Sequence, residues 1–224
     1  MRQKITWNAF LIAILMSVSV FGQNTELIWL PVFSYSWEQT EQLGFDASAS
    51  AFNSLSNLDN SLAIKFIETA LIASYATSPK IKLGLGYLHR FATPLIEGYQ
   101  YEHRLLENIS FSSFFGDKKI GHRFVLEQRF RTNKYENRVR YRLSHKFSVG
   151  EETAGTFLKL ENELLNSFNS ESFKGENRFK IAYSKSLKNK KEIEIGIQHR
   201  TLNLFTDFDL GQIVLLSTKF SLSK

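Results

Sequence analysis

From Glu26 to Leu222 apolar and polar residues alternate almost without interruption, and convincing helical stripes are rare. A strand sends successive side chains to opposite faces, so period two means a sheet with two chemically different sides. The segment 138–147 is the clearest case. Val139, Tyr141, Leu143, His145 and Phe147 point one way, and Arg138, Arg140, Arg142, Ser144 and Lys146 the other. Before it, His122, Phe124, Leu126, Gln128 and Phe130 alternate with Arg123, Val125, Glu127, Arg129 and Arg131. After it, Leu158, Leu160 and Leu164 alternate with Lys159, Glu161 and Glu163. Phe179, Ile181 and Tyr183 then oppose Arg178, Lys180 and Ser184. Finally Ile193, Ile195 and Ile197 face away from Glu192, Glu194, Gln198 and Arg200.

Earlier segments carry smaller polar partners. Leu27, Trp29, Phe33, Tyr35 and Trp37 share one face, and Leu43, Phe45, Ala47, Ala49 and Ala51 share the next. Ile81, Leu83, Leu85, Tyr87 and Phe91 oppose Lys80, Lys82, Gly84, Gly86 and Arg90. Tyr99, Tyr101, Ile109 and Phe111 oppose Gln100, Glu102, Arg104 and Asn108. Segment 61–75 has apolar residues on both faces, which fits a bulge, a double-sided strand or a short helix. Turn signals separate the runs at Ser78-Pro79, Gly116-Asp117, Gly150, Asn169 to Gly175 and Lys188-Asn189.

Eleven such segments of about 10–15 residues are present, and a transmembrane strand needs about 9–11. Bacterial barrels close with an even number of strands, so the expectation is 10 or 12. The connections near Asn189, Gly150, Asp117 and Pro79 are short. Those near Asn169, Thr93 and Asn57 are mostly longer. With the short connections periplasmic and the longer ones extracellular, this phase carried back starts Glu26 on the outer side, which a normally inserted barrel forbids.

The first 22 residues have the parts of a secretory signal. Arg2 and Lys4 are the basic start, Ala9 to Phe21 is apolar apart from Ser17 and Ser19, and Val20 and Gly22 are small residues before Gln23. The apolar run is about 13 residues, short of the roughly 20 that span hydrocarbon as a helix. Export with cleavage is expected, leaving 23–224 as a single barrel domain. Absence of cysteine excludes disulfide scaffolds, cysteine–zinc clusters and thiol catalysis. Twenty phenylalanines coexist with a net charge of +6. A soluble sandwich or lipocalin-like barrel would turn the apolar parity inward. The heavily charged polar faces, the long strands and the aromatics Trp29, Trp37, Tyr75, Tyr87, Tyr99, Tyr141 and Tyr183 favour the opposite arrangement. The expected fold is an all-β antiparallel transmembrane barrel with lipid outside and charge in the lumen.

The candidate site is then a lumenal charge ladder: Glu102, Arg104, Arg123, Glu127, Arg129, Arg131, Arg138, Arg140, Arg142, Glu161, Glu163, Arg178, Lys180, Glu192, Glu194 and Arg200. Its sign alternates by strand, with Arg138, Arg140 and Arg142 beside Glu161 and Glu163, then Arg178 and Lys180 beside Glu192 and Glu194. Opposite charges on antiparallel neighbours pair, and arginine forks can bridge carboxylates. Two roles follow: a basic surface that binds or passes anions, as in a small porin, or a salt-bridged plug. The plug is preferred because long arginines fill a narrow barrel. All five histidines (His89, His103, His122, His145 and His199) fall on apolar faces, where an interfacial place explains them. His122 or His145 beside Ser110 or Ser144 is the only arrangement that suggests a lipid-acting serine site. No metal-ligand cluster, phosphate loop or nucleophile elbow is present, so neither cofactor nor metal is expected. The basic residues are spread over strand faces of an exported chain, so no nucleic-acid partner is expected.

Three stretches carry a resemblance: Gln100-Tyr101-Glu102-His103-Arg104-Leu105, the run from His122 to Arg131, and Arg138-Val139-Arg140-Tyr141-Arg142-Leu143. Glu161-Asn162-Glu163, Asn177-Arg178-Phe179 and Ile193-Glu194-Ile195-Gly196 continue it. They resemble domain-of-unknown-function family 2490, over roughly Leu27 to Leu222 and most specifically between Tyr99 and Arg142. The resemblance implies an exported barrel in the outer membrane of a Gram-negative bacterium and supplies no catalytic residue. One departure is the C-terminus, where Phe220 is followed by Ser-Leu-Ser-Lys instead of ending the chain on an aromatic assembly signal. The expected partners are outer-membrane lipid and, during insertion, the barrel-assembly machinery. The function expected is a non-enzymatic barrel with a structural, binding or small-pore role. The alternatives are an outer-membrane barrel enzyme acting on lipid, or a soluble periplasmic β-protein binding an apolar ligand.

Overall fold

A computed structural model describes residues 25–55, 63–92, 100–132, 134–149, 155–169, 172–204 and 211–224. The signal segment 1–22, Tyr99 and Gly150 lie outside the described residues. Eleven strands follow in chain order: β1 Thr25–Glu38, β2 Leu43–Ser54, β3 Ala63–Ser78, β4 Ile81–Ala92, β5 Gln100–Phe115 and β6 Lys118–Arg131, then β7 Lys134–Ser148, β8 Thr156–Phe168, β9 Phe173–Leu187, β10 Lys191–Leu202 and β11 Gln212–Ser223. Each pairs antiparallel with its chain neighbours, and the sheet closes into a barrel by joining β1 to β11.

That last junction corrects the expected count of 10 or 12 strands. β1 runs parallel to β11, from Thr25 beside Gln212 to Ser36 beside Ser223. Even numbers are required only when every pair is antiparallel, because only then must the first and last strands run in opposite directions. One parallel pair removes the requirement, and the eleven segments are eleven strands. It also fixes the phase: Thr25 lies at one end of the barrel and Lys224 at the other. The Lys224 end carries the tight turns around Pro79, Gly116 and Asn189. Gly116 (φ 63°), Asn189 (φ 60°) and Lys190 (φ 53°) take left-handed conformations there, as short hairpin turns demand. Gly175 lies within β9 rather than in the turn before it.

The ambiguous segment 61–75 belongs to a strand with irregular register. β3 slips against β2 between Phe52 and Asn53, passing over Lys65, and against β4 between Ala76 and Ser78, passing over Thr77. From Phe66 to Ala76 the pairing is regular, and both parities look apolar because the inward one carries Phe66, Ala70 and Ile72 while Ile67 and Leu71 are exposed outside.

The two faces of the sheet invert the usual order of a water-soluble protein. Outside stand Leu71, Leu85 (64% exposed), Ile109, Phe124, Tyr183, Ile195 and Ile197 (59%). Inside, the most deeply buried side chains are Leu165, Leu215, Glu127 (1%) and Ser184. At the Thr25 end, Ile28, Phe52 and Leu215 form an apolar cluster joined by Leu30, Phe66 and Ile213. Phe52 and Phe66 lie 4.0 Å apart between ring centroids, and Arg90 stacks on Phe66 at 3.8 Å. Small residues let neighbouring strands close over this filling. A Cβ on Gly196 would lie 2.8 Å from the Ala182 Cβ and 3.0 Å from the Ile181 carbonyl oxygen.

Candidate functional site: the charged barrel interior

Register decides which charges meet. On β7 and β8, Arg140 stands opposite Leu165 and Arg142 opposite Glu163. A long guanidinium reaches diagonally, so Arg140 donates to both Glu163 oxygens at 2.8 and 2.9 Å, and Arg142 Nε donates to Glu163 at 3.0 Å. Arg140 also pairs with Glu127 on β6, which bridges toward Arg104 at 3.8 Å and Arg138 at 4.0 Å. Glu102 on β5 is a second hub. It accepts from Arg104, from Arg129 Nε and Nη2 at 2.9 and 3.1 Å, and from Arg131 at 2.6 Å.

The links continue around the wall. Glu136 joins Arg129 to Arg138, Glu68 joins Arg90 to Arg104, and Arg178 reaches Glu176 at 2.6 Å and Glu163 at 3.7 Å. With Glu161 near Arg142 at 3.8 Å, one connected network runs from β3 to β9. It joins Arg90, Arg104, Arg129, Arg131, Arg138, Arg140, Arg142 and Arg178 to Glu68, Glu102, Glu127, Glu136, Glu161, Glu163 and Glu176, so charge nearly balances. A smaller one links Lys146, Lys159 and Lys180 to Glu192 and Glu194. Burial of these groups is tolerable because each hub carboxylate has several cations within ion-pair distance, at least one of them hydrogen-bonded.

A model described as "Protein of unknown function (DUF2490)" matches residues 35–210. The chain belongs to the DUF2490 family. No curated protein and no solved structure matches it.

Within this DUF2490 barrel the sequence-derived ladder divides into three groups. Glu102, Arg104, Glu127, Arg129, Arg131, Arg138, Arg140, Arg142, Glu161, Glu163 and Arg178 meet in the large network. Lys180, Glu192 and Glu194 meet in the small one. Arg178 does not reach Glu192 or Glu194 as strand-by-strand alternation suggests; it turns to Glu176 on its own strand and to Glu163 on β8. Arg123 and Arg200 stand apart from both networks. Arg200 donates to Gln198 at 2.8 Å and lies 5.5 Å over the Phe52 ring. Glu68, Arg90, Glu136, Lys146, Lys159 and Glu176 are members the ladder omits. Glu136 and Glu176 sit on the inward parity of β7 and β9, two residues before the first arginine of each run, so extending the alternation backwards finds them.

The pairing of His122 or His145 with Ser110 or Ser144, the alternative to an interfacial place, does not form. Ser110 and Ser144 face inward, opposite Arg123 and Gly121, whereas His122 and His145 lie on the apolar parity outside. Strand alternation keeps such residues on opposite sides of the sheet. His145 Nδ1 instead meets the Lys119 carbonyl oxygen at 2.8 Å. His122 is held by two other groups. Its Nε2 lies 2.7 Å from Ser113 Oγ, and its Nδ1 lies 2.9 Å from the Tyr141 hydroxyl. Phe111 stacks on the ring at 4.6 Å between centroids. Near the Thr25 end, Tyr87 pairs with His103, and His89 stacks on Tyr101 at 5.4 Å. No group of three or more histidines, aspartates or glutamates able to hold a metal occurs among the described residues.

Proposed function

We propose that the protein is a non-enzymatic outer-membrane β-barrel with an occluded interior and a structural or binding role. Residues 1–22 act as its cleaved export signal, the barrel-assembly machinery inserts it, and membrane lipid surrounds it. The observation that carries this reading is the inversion of faces: large apolar side chains stand exposed around the wall while Glu127, Arg104 and Glu163 are buried inside. Water would penalise such an outer surface, and extended exposed apolar patches mark contact with membrane or protein. Strands of 12–16 residues, at a tilt of about 45°, reach roughly 27–38 Å, enough to cross a hydrocarbon layer of about 30 Å. The apolar cluster and the ion network, which line the interior from β1 to β11, support the occlusion.

Fractionation combined with heat-modifiable gel mobility tests the placement. The folded protein is expected in the outer-membrane fraction, and recovery in the periplasmic supernatant would overturn it. Planar-bilayer recording tests the occlusion. Silence is expected; steady anion-favouring current makes the barrel a pore.

One observation favours a second reading, a lipid-acting enzyme. Ser113, His122 and Tyr141 form a connected hydroxyl–imidazole–hydroxyl chain on the outer face, where a serine donating to Nε2 could attack an ester. The first reading expects no turnover of phospholipid esters by the purified barrel. Turnover that disappears in His122→Ala and in Ser113→Ala would establish the second.

A further inference from the structure

The interior is not equally closed along its length. Toward the Thr25 end and the middle, Leu106, Asn108, Val125 and Glu127 are buried, whereas beyond them Ser110, Ser112, Gly121 and Ser144 are half-open and Lys82 and Lys146 are exposed. Arg123 stands at this boundary. Among the described residues it makes neither ion pair nor hydrogen bond, and its Nε is buried without a partner. Its direct cross-strand neighbours are Ser110 on β5 and Arg142 on β7. The charges that act on it are Arg142 and Arg140 on one side of the balance, Glu163 and the Asp46 of the far wall on the other. Glu163 is already engaged by three arginines, and Asp46 accepts from Ser36 at 2.5 Å.

Next to Arg123, toward the open end, the adjoining row is Ser112, Gly121 and Ser144, all small. Gly121 makes room for the Ser144 hydroxyl, since a Cβ there would stand 2.6 Å from Ser144 Oγ. One inward position deeper than Ser110, Asn108 Nδ2 is a second buried donor without a partner. Two unfilled donors, on Arg123 and Asn108, beside the Arg142 guanidinium and three hydroxyls call for acceptor oxygens carrying negative charge.

We propose that Arg123 and Arg142, with the hydroxyls of Ser110, Ser112 and Ser144, form a binding site for a phosphate-type oxyanion inside the Lys224 end of the barrel. The guanidiniums supply charge and paired N–H donors, the hydroxyls adapt to the remaining oxygens, and the buried Asn108, Val125 and Glu127 bound the site on its inner side. This deepens the binding role proposed above and rests on the occluded, closed barrel, not on where the barrel resides.

The test uses the full folded protein in detergent, titrated calorimetrically with inorganic phosphate and, separately, with dihexanoyl phosphatidic acid. Saturable binding is expected for at least one probe, and the tighter of the two tells free phosphate from a lipid headgroup as the source. Arg123→Gln should weaken binding by about tenfold or more, as loss of a charge-assisted bond implies. Gly121→Val, which displaces the Ser144 hydroxyl and keeps every charge, should weaken it likewise. Lys118→Gln makes the same charge change at the first residue of β6 and should leave binding within about twofold. Heat-modifiable mobility verifies the fold of each variant, and either Arg123→Gln or Gly121→Val suffices. No saturable binding, or equal weakening by Lys118→Gln, overturns the site. Conductance of the same preparation is read separately: a conducting barrel that still needs Arg123 for phosphate overturns the plug and leaves the site standing. A silent barrel whose binding ignores Arg123 does the reverse.

Discussion

Replacing Glu102 with alanine is expected to destabilise the folded barrel by about 3–5 kcal/mol, the scale for breaking a buried ion pair from one side. Its carboxylate receives Arg104, Arg129 and Arg131 and is almost wholly shielded from solvent. Removing it leaves Arg129 leaning on Glu136 alone, and Arg104 on Glu68 at 3.3 Å and Glu127 at 3.8 Å. The cost comes from guanidiniums stranded in a low-dielectric interior, not from lost volume. Glu102→Gln keeps the volume and should therefore lose nearly as much. Glu192→Ala gives the contrast: that side chain is 24% exposed and its partners are lysines near the open end, which can turn to water. About 1 kcal/mol or less is expected there. Equilibrium urea unfolding of the refolded barrel measures all three. Similar losses for Glu102→Ala and Glu192→Ala, or a near-neutral Glu102→Gln, would mean that the network contributes packing rather than charge balance.

The interior of this barrel was largely legible because period two leaves little freedom: once Val139 and Leu143 face out, Arg138, Arg140 and Arg142 must face in. Three things were not legible, each for its own reason. The strand number required knowing how β1 meets β11, a contact between residues 187 apart in the chain that local pattern does not report. Glu68 was hidden because its own parity on β3 also carries Phe66, Ala70 and Ile72 and so looks as apolar as the outer one. The apolar cluster of Ile28, Phe52 and Leu215 lies on the parity that elsewhere carries charge, and only closure of the sheet brings β1, β2 and β11 together around it. The family match names no activity, so the activity has to be sought in the charges and hydroxyls themselves.

Placing cysteines at Ser34 and Ser221 should lock the barrel shut almost quantitatively on mild oxidation, and this is the sharpest test of the odd-stranded closure. The two hydroxyls lie 3.0 Å apart across the β1–β11 seam, and the chain has no cysteine of its own to compete. The crosslinked chain should run faster on a non-reducing denaturing gel and return to normal mobility with thiol. By chain entropy, a loop of this length can stabilise the folded state by up to about 5 kcal/mol, less any strain in the bond. A single pair does not settle direction, so a second is needed: Ile28 stands opposite Leu215 with the same separation in sequence. Parallel strands hold the difference between paired residue numbers constant, whereas antiparallel strands hold their sum constant. Both cysteine pairs therefore form in the parallel seam, each in its own variant. In an antiparallel seam at most one of them could. Crosslinking at Ser34 and Ser221 without crosslinking at Ile28 and Leu215 would return the barrel to an even strand count, and failure of both would mean that β1 and β11 do not meet.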